Sequence, residues 1–261
     1  MRTQYSTGLS ESEFWELTAR IKDITIEHGQ NPGPNMIGRP QTLDLASKVR
    51  LTLTLLRTNI TQQLAAEMLA VSQPTVSVVK SQIEPLIDQA LTMTGIPLGE
   101  AASARPLIVD GTYIPTGNRK ATGSVNYSGK RHCQNLSIQV ACDLGGTLVA
   151  TSAPVPGARH DSAALTLTGW DQILADADWF ADSAYTAHGA ITPIRKRPGG
   201  ELTESEREFN RQVSSIRCTV ERTISHLKNW RVLSKGYRRQ LKKLPFVIAL
   251  VTKLELYRLG W

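Results

Sequence analysis

The chain is poor in the features that mark secreted and membrane proteins. Its 261 residues include only three cysteines, Cys133, Cys142 and Cys218. Their odd number and wide spacing favour neither a disulfide framework nor a zinc site. The longest apolar run, residues 244–251, is too short to cross a bilayer, and residues 1–4 lead into polar sequence without a signal-peptide core. We therefore expect a cytoplasmic protein with no membrane partner.

Acidic residues are scarce in the last quarter of the chain. The whole sequence has 30 basic and 23 acidic residues, a net charge of +7. Residues 195–261 hold 16 Lys and Arg but only 6 Asp and Glu. Solubility alone does not require such one-sided placement, so the pattern favours a polyanionic partner such as nucleic acid.

The first forty residues predict one helix and a linker. Ser10 and Glu13 match a capping box, and apolar residues recur at helical spacing as far as His28. Residues 29–40 are rich in Gly and Pro, which break helices. We therefore predict an N-terminal helix and a linker within residues 1–40.

Residues 41–100 predict an all-helical domain. Helical spacing indicates a first helix that ends near Thr58 and a second that Thr61 caps. A third helix is expected over Gln73–Gln82, and Pro85 ends or kinks it. The short turn before the third helix is typical of a helix–turn–helix that binds DNA. An ordinary helical hairpin is the alternative, but the basic chain favours DNA binding.

The pattern of this region also predicts which side chains face inward. Five apolar residues are expected to face the core: Leu64, Ala65, Met68, Val76 and Val79. Short or hydrogen-bonding groups at the start of the third helix are expected to face outward, where they can reach base edges and phosphates. These candidate DNA-binding residues are Gln73, Thr75, Ser77 and Lys80.

From residue 101 to the end, the pattern predicts a mixed α/β domain with a basic tail. Period-two alternation and turn residues indicate a hairpin, and later segments alternate between strand and helix patterns. The predicted strands are 106–110, 136–142, 147–153 and 178–182, with a further short strand at 190–195, and the predicted helices are 162–174 and 204–230.

Three acidic residues of this domain form a candidate metal site. Asp110 and Asp182 each stand at the end of a predicted strand, and Glu221 lies on the long late helix. Two such strands side by side would bring the carboxylates together, which is costly without a cation. Oxygen ligands of this kind select Mg²⁺ or Mn²⁺, and two ions can share them for phosphoryl chemistry. For each aspartate considered singly, a turn residue at a strand end is the alternative.

Further charged residues are candidates for secondary roles. Arg217 and Lys228 share a helix stripe with Glu221, which indicates phosphate-binding cations or simple ion pairs on a solvated face. Asp161 precedes a predicted helix as an N-cap and is a secondary candidate for the metal site. The Tyr-Ser-Gly-Lys-Arg-His segment at 127–132 lacks the spacing of a P-loop. It is either a basic loop near phosphate, with Lys130 and Arg131 as the contacts, or a turn.

Taken together, these residues resemble the DDE-superfamily transposases, in particular the bacterial insertion-sequence group related to Harbinger elements. The pieces that carry the resemblance appear in the family's order and span about half of the chain. They are Val109-Asp-Gly-Thr112, Tyr127-Ser-Gly-Lys130, Pro156-Gly-Ala-Arg-His-Asp161, Ala181-Asp-Ser-Ala-Tyr185 and Arg217-Cys-Thr-Val-Glu221 with Lys228. The helix–turn–helix before them is similar to the family's N-terminal DNA-binding domain.

The resemblance implies an RNase H-like catalytic domain in residues 101–261 and a helix–turn–helix domain in residues 41–100. It also implies a reaction: the protein binds terminal inverted repeats, cuts DNA with two Mg²⁺ or Mn²⁺ ions held by Asp110, Asp182 and Glu221, and joins the 3′-hydroxyl ends to target DNA. Action as a homo-oligomer at the bacterial nucleoid follows from the same resemblance. The family tyrosine before Arg217 is replaced by Ser214.

Two alternatives to an active transposase remain open. One is a catalytically inactive or domesticated relative that only binds DNA, although all three acids are present. The other is a host nuclease of the same fold, which the helix–turn–helix and the set of transposase-like motifs do not favour.

Overall fold

The computed structural model describes residues 3–27, 43–92, 95–117 and 124–260. Residue His28, the linker predicted for 29–40 and the end of the region predicted to be helical up to residue 94 lie outside the described residues.

Six helices lie in the described residues of the N-terminal part of the molecule. They are α1 (Thr3–Thr7), α2 (Glu11–Glu27), α3 (Leu45–Thr58), α4 (Gln62–Met68), α5 (Gln73–Ala90) and α6 (Leu98–Ala104). The predicted capping box of α2 is confirmed: Glu13 accepts a hydrogen bond from the Ser10 N–H at 2.6 Å, and the Ser10 hydroxyl accepts one from the Glu13 N–H. The hydroxyl of Thr61 caps α4, as predicted.

Helix α5 is longer than predicted, because Pro85 lies inside it and does not end it. A proline inside a helix loses one backbone hydrogen bond and costs about 3 kcal/mol. Here the apolar face continues on both sides of the proline, with Ile83 and Ile87 almost completely buried. Each such side chain contributes about 1.5–3 kcal/mol when buried, which is enough to offset the lost bond.

The sheet that follows confirms the predicted mixed α/β class. Its six strands are β1 (Leu107–Pro115), β2 (Tyr127–Ser128), β3 (Cys133–Asp143), β4 (Leu148–Thr151), β5 (Val155–Pro156) and β6 (Trp179–Phe180). The path β2-β3-β1-β6 runs across the sheet, and β4 and β5 also pair with β3. The predicted hairpin of β3 and β4 is confirmed as antiparallel, whereas β6 runs parallel to β1.

Two predictions for the elements after the hairpin are wrong. The helix expected over 162–174 is split at Gly169, whose φ of 72° is left-handed, into α7 (Asp161–Leu167) and α8 (Trp170–Ile173). The strand expected at 190–195 is reduced to a single bridge between Ile191 and Phe180. In the first case the positive φ of a glycine interrupts the helical pattern.

Two helices complete the chain, α9 (Glu204–Lys228) and α10 (Leu244–Arg258). Helix α9 was predicted, and a capping box of Thr203 and Glu206 starts it. Helix α10 was not predicted, because apolar residues lie on all of its sides and leave no helical period to detect. Most of them are buried.

Helix α10 joins the helical part of the molecule to the sheet. One buried cluster includes Phe14, Leu53 and Ile87 from the N-terminal helices, Ile138 from β3 and Val251 from α10. None of the helices within the described ranges is both long and apolar enough to cross a membrane.

Candidate active site

The two strand aspartates lie side by side in the sheet. Strands β1 and β6 run parallel, with Ile108 opposite Phe180. Asp110 and Asp182 therefore each stand two residues beyond the same paired position. The expectation that neighbouring strands bring these carboxylates together is met by this register, and the carboxylate charge of Asp182 raises the pKa of Asp110.

The local backbone of the two aspartates differs. Asp110 was predicted to end its strand, and this is wrong. Strand β1 continues to Pro115, and Asp110 is paired with Val140 of β3. Its carboxylate accepts a hydrogen bond from the Gly111 N–H at 2.8 Å. Asp182 follows β6 and caps a short 3₁₀ helix, where it accepts a bond from the Ala184 N–H at 2.6 Å.

Asp110 is a half-buried carboxyl group with a shifted pKa. The pKa of Asp110 is raised to about 6, with burial as the largest cause and the nearby charges of Asp182 and Asp161 as smaller ones. The Gly111 N–H and the Arg217 guanidinium act in the opposite direction. A half-buried carboxylate among other carboxylates fits a divalent cation with a preference for oxygen ligands.

Asp161 lies beside this pair. Asp161 was predicted to be the N-cap of this helix, but it is the first residue of α7, and the N-cap position belongs to His160. Burial raises the pKa of Asp161, Lys130 lowers it and Asp182 raises it. A Cβ atom on Gly111 would lie 2.6 Å from the Asp161 Oδ1 atom, so only glycine at 111 lets Asp161 approach β1 this closely.

A buried tyrosine lies beside the acidic residues, and its contact with them was not predicted from the sequence. The Tyr185 side chain is fully buried, and its hydroxyl donates a 2.6 Å hydrogen bond to Gln139 Oε1. Gln139 faces Gly111 across the β1–β3 pairing. Burial, together with the charges of Asp161, Asp110 and Asp182, raises the pKa of the Tyr185 phenol. The motif that contains Asp182 also contains Tyr185, but its pattern gave no sign of this contact.

Helix α9 packs over the same end of β1. Val220 is buried against Ile108 and Cys142, which places Arg217 near Asp110. Glu221 is exposed, one turn of helix after Arg217. Within the part of the chain that the structure describes, no three acidic, histidine or cysteine side chains are close enough to hold a metal ion together. Among the described residues, Asp182 and Asp161 are near enough to act on the charge of Asp110, but Glu221 does not join them in a metal-binding group.

The predicted basic contacts gather on another side of this site. Lys130 and Arg131 are exposed, and both lower the pKa of Asp161. Arg131 and Lys228 each lie over the ring of Tyr113 on β1. Lys228, on the same helix as Glu221, therefore meets Arg131 at a tyrosine that the sequence did not single out.

At the start of α5, three of the four predicted DNA contacts are at least partly accessible. Gln73, Thr75 and Ser77 are half-buried. The Gln73 amide donates a 2.6 Å hydrogen bond to Gln62 of α4. The hydroxyl groups of Thr75 and Ser72 are 2.8 Å apart.

The prediction that Lys80 faces outward is wrong. Lys80 is only 5% exposed, and its ammonium lies 3.4 Å from the carboxylate of Glu84. Arg239 bonds the same carboxylate at 3.1 Å. Burial lowers the pKa of Lys80, and Glu84 opposes this change. Lys80 is therefore held by Glu84, which also binds Arg239 of the segment after α9, and it is not available to DNA.

The predicted inward face of α4 is also partly wrong. Ala65 is buried as expected, together with Ala66, and Val76 and Val79 of α5 are buried as expected. Leu64 and Met68, however, are 45% and 62% exposed. Helix α4 has only seven residues, and its contact with α5 uses the small alanine side chains.

The raised pKa of Asp110 predicts a stability effect with a definite sign. In the folded protein the pKa of Asp110 is about 6, above the ordinary value of 3.8. The contribution of Asp110 to the free energy of unfolding is therefore most favourable at low pH and is lost as pH rises through 6. We expect Asp110→Asn to be more stable than wild type at pH 8 without divalent metal, by at most about 3 kcal/mol. The gain should be smaller at pH 5.

Urea unfolding of both proteins at pH 5 and pH 8, in the presence of a chelator, measures this difference. Asp178→Asn is a matched control, because Asp178 is exposed next to β6. A less stable Asp110→Asn variant at pH 8 would show that the carboxylate is not destabilised by burial.

Comparison with known proteins identifies a family for the part of the chain that contains the acidic residues. A family model described as DDE superfamily endonuclease matches residues 109–254, more than half of the chain. A protein of Streptomyces albus G, named as the transposase for insertion sequence element IS112, is 28% identical over 230 residues, which cover 87% of this chain and 83% of that protein.

A second relative, from Microchaete diplosiphon, is named as the transposase for insertion sequence element IS702. It is 24% identical over 161 residues, which cover 59% of this chain and 57% of that protein. No solved structure matches the chain significantly.

Proposed function

Because the chain belongs to the DDE superfamily of endonucleases, we propose that it is a DNA transposase that cuts the ends of a mobile element and joins them to target DNA. One observation carries the proposal: Asp110 and Asp182 stand at equal distances beyond a parallel strand pair, and Asp110 is half-buried there. The names of both relatives support the same activity.

Asp110, Asp182 and Glu221 are the proposed ligands of two Mg²⁺ or Mn²⁺ ions. When bound, such ions supply an activated water and stabilise the charge of an in-line phosphoryl transfer. Helix α9 supports the role of Glu221, since Val220 holds that turn against β1. Asp161 is the secondary candidate, supported by its contact with Gly111.

Cations around the acids are proposed to hold the DNA backbone. The Nε atom of Arg217 is buried and has no hydrogen-bond partner among the described residues, so it is a donor available to a phosphate near Asp110. Lys130 and Arg131 are exposed, and their charges act on Asp161. Phosphate contacts of this kind position DNA without reading its sequence.

The finer architecture is part of the same proposal. The sheet with its flanking helices is proposed to be an RNase H-like catalytic domain, from residue 101 onward. Helices α4 and α5, within residues 41–100, are proposed to be a helix–turn–helix that binds the inverted repeats. The protein is proposed to act as a homo-oligomer, because two element ends must be joined in one complex, and to work on DNA in the bacterial cytoplasm.

Changes at the start of α5 test whether this helix gives the protein its preference for the DNA sequence of the element's ends. We expect the triple change of Gln73, Thr75 and Ser77 to alanine to weaken binding to the element's ends by about 1–3 kcal/mol for each lost base contact. Binding to random DNA should hardly change, because phosphate contacts remain. Titration of both DNAs with the variant and the wild type measures the difference.

Ser81→Ala on the outer part of the same helix is a control, since the Ser81 hydroxyl bonds within the protein. If the triple variant keeps the full preference for the ends, α5 does not read the DNA sequence, and recognition must come from α2 or from the catalytic part.

An inactive relative that only binds DNA is the main alternative, and a host nuclease of the same fold is the second. An assay of strand cleavage distinguishes the transposase from both alternatives. It uses a duplex with the sequence of the flanks of the gene, together with Mg²⁺ or Mn²⁺. A transposase cuts at the element's ends. An inactive relative binds these ends without cutting, and a host nuclease cuts without preference for them.

A further inference from the structure

The ring of Tyr113 carries two cations that come from different parts of the chain. The Cζ atom of Arg131, between β2 and β3, lies 4.6 Å from the ring centroid. The Nζ atom of Lys228, the last residue of α9, lies 4.2 Å from the same centroid. Strand β1, the β2–β3 connection and α9 therefore meet at one aromatic side chain.

The ring holds both cations, but it does not neutralise them. A cation–π contact contributes about 0.5–1 kcal/mol at an exposed site and about 2 kcal/mol when desolvated. The two distances keep the charges well within a Debye length, about 10 Å at 0.1 M salt, so they repel each other. Among the ion pairs of the described residues, none involves Arg131 or Lys228.

The half-buried position of Lys228 makes its positive charge more costly. Burial lowers the pKa of the Lys228 ammonium, and Arg131 lowers it further. Both causes would be relieved by an anion that contacts the two cations at once. A backbone phosphate is such an anion, and it accepts charge-assisted hydrogen bonds from both groups.

We propose that Tyr113, Arg131 and Lys228 form a phosphate clamp, a site that binds one DNA backbone phosphate close to the phosphate that is cut. The inference rests on the proposed function, because it assigns the clamp to the same DNA. Arg131 and Lys228 contact the phosphate, and Tyr113 is a positioning residue that holds them together.

The position of the clamp along β1 limits which phosphate it binds. Tyr113 follows Asp110 by three residues, a distance of about 10 Å along a strand. One strand of B-form DNA rises about 3.4 Å per nucleotide, so a spacing of that size corresponds to about three nucleotides, and we expect the clamped phosphate within that range of the cut. Arg131 also lowers the pKa of Asp161, which shows that the clamp adjoins the acids.

Neutral phosphates provide the sharpest test. Duplexes from the flanks of the gene would each carry one methylphosphonate, at successive positions near the cut, and binding and cleavage by the full chain would be measured. We expect one position within about three nucleotides of the cut to weaken wild-type binding about tenfold, the loss of one phosphate contact. Lys228→Ala should bind weakly from the start and be insensitive to that substitution.

Two variants of Tyr113 separate the role of the ring from that of the hydroxyl. Tyr113→Phe keeps the ring and should behave as wild type. Tyr113→Leu keeps an apolar side chain of similar burial but no ring, and should weaken binding about 3–10-fold and lose the sensitivity to the methylphosphonate. The salt dependence of binding should fall by about one unit in Lys228→Ala. Thermal unfolding of each variant confirms that it is folded.

The result that overturns the clamp is distinct from the one that overturns the proposed function. Equal methylphosphonate sensitivity of Tyr113→Leu and wild type, at every position, would remove the clamp while cleavage by wild type still stands. If folded wild type binds DNA but does not cut it, the proposed function fails, and the binding measurements still decide the clamp.

Discussion

Asp110→Asn and Asp182→Asn will each lower the rate of DNA strand cleavage by at least about 10³-fold, a loss typical of a residue in the catalytic machinery. Asparagine keeps the size of the side chain but loses the negative charge that a divalent cation requires. Asp110 is the stronger test, because the charges of both Asp182 and Asp161 act on its carboxylate.

Specific DNA binding by both variants should stay within about twofold of wild type, since carboxylates repel phosphates and make no contact with DNA. Gel-based cleavage and binding titrations on the same duplex measure the two effects. Asp178→Asn, next to β6 and exposed, should keep wild-type activity. Clear cleavage by Asp110→Asn would remove it from the metal site.

Glu221→Gln and Asp161→Asn should differ in effect, and this difference identifies the third carboxylate. We expect Glu221→Gln to lose at least about 10³-fold in cleavage rate, as a metal ligand does. Asp161→Asn should cost about tenfold, because Lys130 and Arg131 already balance its charge and its main role is contact with β1. Both variants should keep specific DNA binding.

The structure makes this comparison demanding, because it places Asp161 closer to Asp110 than the motif alone suggested. Glu204→Gln is a matched control on the same helix, since the Glu204 side chain is 78% exposed at the start of α9. A folded Asp161→Asn variant that is as inactive as Asp182→Asn, alongside an active Glu221→Gln variant, would make Asp161 the third ligand.

The sequence alone predicted the pair at the centre of the site. An aspartate after an apolar strand is a local pattern, and two such strands in one domain can be expected to pair. The parallel register of β1 and β6 agrees with that reasoning. The three helices of residues 43–90 were also predicted, because their caps and helical spacing are local signals.

The contacts that shape the site could not be predicted, because they join residues far apart in the sequence. Gly111 is required by the Asp161 side chain, which lies fifty residues later. The ring of Tyr113 contacts Arg131 and Lys228, and no periodic pattern in the sequence indicates either contact.

Lys80 shows how the same limit produces an error. A lysine at the start of a recognition-type helix is equally compatible with solvent and with a buried ion pair. Glu84 is a local partner, one turn away, but Arg239 belongs to the segment after α9. The burial of Lys80 therefore depends on how the C-terminal part folds against α5. Helix α10 was missed for a related reason, since complete burial removes the amphipathic pattern.

Joining of element ends to target DNA is the most direct test of the proposed transposase. The full chain would be incubated with Mg²⁺, a duplex that carries the flanks of its gene and a supercoiled target plasmid, and the junctions would be sequenced. We predict insertion products that link the 3′-hydroxyl ends of the duplex to the plasmid, and none with Asp182→Asn. Folded wild-type protein that binds the duplex but gives neither cut nor joined DNA, with Mg²⁺ or Mn²⁺, would contradict the proposal.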